Sequence, residues 1–81
     1  MARITRARMN AEADYFANVA AARSDAAAED GERVAADPTR SDHTRACAGR
    51  AAEIARRHAS EYREIAASLR AGEIPDNLDL S

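Results

Sequence analysis

The chain has 81 residues, a formal net charge of -2 and 22 alanines, whereas Ile, Leu, Val and Phe together number only 10. Two prolines, three glycines and few β-branched residues leave little material for a sheet. No apolar run nears the roughly 20 residues that span a bilayer, and one cysteine excludes a disulfide framework and fits a reducing cytoplasm.

Residues 1–9 read as a basic N-terminal arm carrying Arg3, Arg6 and Arg8. A first helix is expected over residues 10–36, with Asn10 as its N-cap and Glu12 and Asp14 near the positive end of its dipole. A start as early as Thr5 is the alternative. Met9, Ala13, Phe16, Val19, Ala20, Ala27 and Val34 can share one face of it, with Tyr15 and Ala26 alongside. Ser24-Asp25 and Gly31 are the two places where this helix could kink or restart.

Residues 37–41 read as a connection, since Asp37 and Pro38 suit a helix start, as cap and first residue. A second helix is expected over residues 42–71. Cys47, Ala51, Ile54, His58, Tyr62, Ile65 and Leu69 recur at steps of three and four, the spacing of a single helical face. Gly72, followed by Pro75, is the expected C-terminal cap. Residues 72–81 form a short extended tail in which acidic residues alternate with Ile74, Leu78 and Leu80, either a docking peptide or an end on which Ile74 packs back against the helix while the rest frays.

This pattern predicts an all-α fold: an antiparallel hairpin of two long alanine-rich helices. Alanines at the seam let helices approach closely but bury little apolar area, so the hairpin is expected to dimerise into a four-helix bundle or to fold against a partner. Phe16, Val19, Ile54, His58, Tyr62, Ile65 and Leu69 are the candidate partner or dimer face.

The residues that could carry chemistry form no recognisable site. His43 and Cys47 are four apart and could share a metal from one helix face, but no third ligand is near in sequence. Cys47 is more simply read as a small buried hydrophobe and His58 as a seam residue with a polar tip. The glycines make no phosphate-binding pattern and the serines no nucleophile motif. Glu53, Arg57 and Glu61 are expected to pair at i,i+4 on the helix surface. The chain is therefore expected to have no catalytic residue, metal, cofactor or small-molecule substrate.

The 12 basic residues are all arginine. Alongside so much Ala, Asp and Glu, this points to a GC-rich coding sequence of the kind seen in actinobacteria and their phages. Arg45, Arg56, Arg63 and Arg70 nonetheless return to nearly one line of the second helix, a basic stripe that could meet phosphates or an acidic protein. Two functions follow as expectations. The first is a small, non-catalytic, regulatory or inhibitory protein-protein interaction module, or an assembly adaptor. The second is a small nucleic-acid-binding regulator that uses Arg3, Arg6, Arg8 and the stripe.

Overall fold

The structure, a computed structural model, describes residues 4–75. Arg3, Leu78 and Leu80 lie outside the described residues. Among those described the fold is all-helical: α1 (Arg6–Tyr15), a π-helical turn (Phe16–Ala20), α2 (Ala21–Ala36) and α3 (Asp42–Arg70). The first three are continuous, so the chain makes two arms joined by residues 37–41.

The first arm begins at Arg6, not Asn10. Thr5 is its N-cap, in an extended conformation with its hydroxyl oxygen accepting from the Arg8 N–H at 3.0 Å. The reason is Met9, which is buried in the core; the turn preceding Asn10 must be helical to bring it there. Neither Ser24 nor Gly31 interrupts the arm. The irregularity lies at Phe16–Ala20, where the Ala21 N–H reaches back five residues to the Phe16 carbonyl.

That wider turn admits one extra residue and rotates the apolar stripe. Beyond it, Ala21, Ser24, Ala28, Gly31 and Ala35 recur at steps of three and four. A regular helix extended backward from them would carry Asn10 and Asp14 into the seam. The π turn instead places Met9 and Ala13 there, both buried. The same rotation leaves Ala27 exposed and Ala28 fully buried, against the face expected from the sequence.

Asp37 does not cap the second helix, because its carboxylate is already engaged. One oxygen accepts from both the backbone N–H and the hydroxyl of Thr39, at 2.9 and 2.7 Å, closing the turn around Pro38. Ser41 takes the cap position, its hydroxyl oxygen accepting from the Thr44 N–H at 3.1 Å. The far end of α3 stops at Gly72, whose φ of 85° is in the left-handed region. The Gly72 N–H bonds the Leu69 carbonyl and the Glu73 N–H bonds that of Ser68, at 3.0 and 2.8 Å, a Schellman closure.

The two arms lie along each other with their sequences running in opposite order: Arg70 meets Asp14, Arg63 meets Asp25, and Arg45 meets Ala35. The result is a rod of 55 × 19 × 17 Å. Its seam on α3 consists of Arg45, Ala48, Ala52, Ala55, Ala59, Tyr62, Ala66 and Leu69, an unbroken 3-4 heptad pattern. Ala52, Ala59, Ala66 and Leu69 are buried within it. Cys47, Ala51, Ile54 and His58 are exposed, so in the first half of α3 the interior stripe is the alanine one beside the face expected from the sequence. Small residues win the interior because the opposing arm is equally small: a Cβ on Gly31 would come within 2.8 Å of the Ala48 carbonyl oxygen and 3.1 Å of the Ala52 Cβ. At that separation there is no room for an isoleucine.

Among the described residues the one cluster of larger buried side chains sits toward the open end of the rod. Met9, Ala13, Ala66 and Leu69 form it, with Ile4, Phe16, Ala17 and Ile65 packed around it. Among the described residues every buried side chain is apolar.

Candidate protein-binding face

The arginine stripe faces the first arm. Arg56 binds Glu32 at 2.7 Å and Asp25 at 3.1 Å, Arg63 binds the other oxygen of Asp25, and Arg70 binds Asp14 at 3.2 Å. The Arg45 Nε–H donates to the Ala35 carbonyl at 2.9 Å, a helix-end acceptor that no α2 amide reaches. All four guanidinium groups are thus spent on holding the arms in register. Asp25 and Glu32 are held below their ordinary values of 3.8 and 4.5, first by hydrogen bonds from Arg63 and Arg56 respectively, whose positive charges add to the effect. Sequence reasoning passed over these acids. The signal was present in antiparallel order, because Asp14, Asp25 and Glu32 ascend the first arm as Arg70, Arg63 and Arg56 descend the second.

Arg6 and Arg8, the two remaining basic candidates among the described residues, are also occupied within the chain. The Arg6 guanidinium donates to the Arg70 carbonyl at 3.2 Å and so closes the C-terminal end of α3. Arg8 pairs with Glu12 at 3.7 Å across one helical turn. The expected Glu53-Arg57-Glu61 ladder does not form: among the described residues none of the three has an ion-pair partner. Cys47 is exposed instead of buried, with His43 Nε2 3.7 Å from its sulfur. Among the described residues no three His, Cys, Asp or Glu side chains gather as a metal site would require.

The opposite flank of α3 carries a different surface. Ile54 is 39% exposed in mid-helix and His58 lies one turn beyond it, also exposed. Tyr62 and Ile65 continue the line, half-buried. From the first arm Phe16 stacks on Tyr62 with ring centroids 5.9 Å apart, and Tyr15 meets Phe16 edge-on at 5.6 Å while remaining 47% exposed. His58, Glu61, Tyr62, Glu64, Ile65 and Ser68 line a shallow cleft of about 440 Å³, closed at one end by Pro75. Pro75, and not the 43% exposed Ile74, is the tail residue that returns to the helix. Pro75 fills this role because the chain leaves Gly72 in a left-handed turn that swings the next residues back along α3.

Of the seven face residues expected from the sequence, Ile54, His58, Tyr62 and Ile65 lie together here, with Phe16 beside them. Val19 is half-buried in the π turn. Leu69 is fully buried within the chain's own core and presents nothing to a partner. Its heptad neighbours explain this, since Leu69 continues the alanine stripe as well as the Ile54-Tyr62 stripe and sits where the two merge. Tyr15, Glu61 and Pro75 complete the surface and were not singled out by periodicity.

No helix among the described residues is long and apolar enough to cross a membrane. Comparison with family models, with curated proteins and with solved structures returns no match to this chain. The reading of function therefore rests on the chain's own surface chemistry.

Proposed function

We propose that this protein is a small, non-catalytic helical interaction module: an antiparallel hairpin whose α3 flank binds another protein surface. It would act by occupying that surface, in a regulatory, inhibitory or assembly role. The observation that carries this reading is the distribution of unsatisfied groups. The arginine flank of α3 is neutralised inside the chain, while the Ile54-His58-Tyr62-Ile65 flank leaves isoleucine and tyrosine carbon in water beside an open cleft. Aromatic and aliphatic side chains grouped in this way are what a protein interface core is made of. The shallow cleft lacks the enclosure that small-molecule sites have.

The test is twofold. Sedimentation equilibrium of the purified chain is expected to show a mass rising with concentration above 8.7 kDa, and Ile54→Asp with Ile65→Asp should abolish the rise. A photoreactive residue at position 54, introduced in cells, should yield protein adducts that the same residue at exposed Glu29 does not. A constant 8.7 kDa species with no adduct at position 54 ends this reading. The nucleic-acid alternative predicts binding that weakens steeply with salt and is lost on replacing Arg56 and Arg63. No observation favours it, because both side chains are paired with Asp25 and Glu32.

A further inference from the structure

Resting on the reading of the α3 flank as an interface, we propose that its occupant is a second copy of the chain. The two α3 helices would lie antiparallel in one register, with Ile54 against Ile65 of the partner subunit and His58 against Glu61 of the partner subunit. Ala51, Ile54, His58, Glu61, Ile65 and Ser68 recur at steps of 3, 4, 3, 4 and 3, so α3 carries a second heptad seam beside the buried alanine seam. When two such seams pair antiparallel, first-position residues face fourth-position residues of the partner. For this sequence one register then matches every layer: Ala51 with Ser68, Ile54 with Ile65, and His58 with Glu61, each occurring twice about the two-fold axis.

Charge complementarity selects the same register. Arg57 and Glu64 occupy equivalent flanking positions of successive heptads, and antiparallel pairing sets Arg57 beside Glu64 of the partner subunit. In the core layer the His58 imidazole N–H would donate to the carboxylate of Glu61 of the partner subunit. Among the described residues Arg57, Glu61 and Glu64 have no ion-pair partner within the chain, in contrast to Arg56, Arg63 and Arg70. The cleft beside His58, Tyr62 and Ile65 is open to receive the side chain of Ile54 of the partner subunit.

Disulfide trapping tests the register in the full chain, with the exposed Cys47 first replaced by serine. Ile54→Cys and Ile65→Cys are made as separate chains. In the proposed pairing each residue is about 16 Å along the axis from its own copy, too far to bridge. Each variant alone should stay reduced, and an oxidised mixture should give the dimer containing one of each. Self-disulfides from either variant, or a mixture that gives none, overturn the proposal. Charge reversal reads the same register without cysteines: Arg57→Glu or Glu64→Arg alone should weaken self-association about tenfold or more, while mixing the two chains restores it. Equal affinity for all of these overturns it as well. A dimer by sedimentation with the wrong disulfide pattern removes this register and leaves the interface reading standing. A monomer that yields photoadducts with a different protein removes the second copy alone.

Discussion

The Ala48 carbonyl oxygen lies 2.8 Å from where a Cβ on Gly31 would stand. This makes Gly31, a weak point by helix propensity, a place where the two arms approach too closely to admit a side chain. Gly49 sits on the other arm with only the Ala35 Cβ, at 3.7 Å, near its absent side chain. The same substitution at the two glycines should therefore have opposite signs. Gly49→Ala should stabilise by up to about 1 kcal/mol through helix propensity. Gly31→Ala should destabilise by about 1–2 kcal/mol, because backbone overlap outweighs that gain. Urea denaturation of the two variants beside the parent measures both.

Leu69 and Ile54 are both large aliphatic residues on α3, yet one is fully buried and the other 39% exposed. Leu69→Ala should cost about 3 kcal/mol, since it empties the middle of the cluster that Leu69 forms with Met9, Ala13 and Ala66. Ile54→Ala should cost less than about 1 kcal/mol at protein concentrations low enough to keep chains apart. Thermal melts at two concentrations separate the contributions. The Ile54 variant should lose the concentration dependence that its parent shows, and the Leu69 variant should simply melt early.

Acid should unlock the arms. Asp25, Glu32 and Asp37 are held below their ordinary values of 3.8, 4.5 and 3.8, by Arg63, Arg56 and Thr39 as the leading hydrogen-bond donors respectively. A carboxyl with a depressed folded value binds fewer protons when folded than when unfolded, so its contribution is complete above about pH 4.5 and is lost as pH falls through the depressed values. The melting temperature should be flat near neutrality and fall on acidification below that point. Asp25→Asn with Glu32→Gln should lower it at pH 7 and flatten the acid limb, and added salt should act in the same direction because these pairs are accessible to solvent.

The π turn predicts an unusual tolerance. Deleting exposed Asn18 removes the extra residue, lets Phe16–Ala20 close as ordinary helix, and still delivers Met9, Ala13 and Phe16 to the seam positions they now occupy. Stability should change by less than about 1 kcal/mol or rise. Deleting exposed Ala26 carries the same nominal cost in a helix, yet it turns everything before it by about 100° relative to everything after it and takes either Met9 and Ala13 or Ala28 and Gly31 off the seam. That variant should fail to melt cooperatively. Circular dichroism of both deletions is the comparison.

Much of the fold could be read from residue order because helix signals are local. Gly72 ends α3 because it tolerates a positive φ and alanine content fixes the helices, but the caps fall on Thr5 and Ser41 and not on Asn10 and Asp37, because Met9 packs in the core and Thr39 engages the Asp37 carboxylate. The candidate surface was less legible. Two heptad stripes lie side by side on α3, and reading by size merged them. Ile54 and His58 were grouped with Leu69 on one candidate partner face although Leu69 is buried in the chain's own core, and Asp14, Asp25 and Glu32 went unnoticed as partners for the arginines. The shift at Phe16–Ala20 was hidden for a similar reason, since alanines on both candidate faces score alike until something packs against them.

What the sequence by itself determined is therefore helix: its extent, most of its ends, and the poverty of large apolar side chains that limits how much each arm can bury. Only the tertiary structure decided which stripe became interior. The reason lies in the approach of Gly31 to Ala48 and Ala52. Small residues on one arm select small residues on the other, four arginines fasten their flank to acids and a carbonyl, and the larger side chains are left facing outward, where a second surface can meet them.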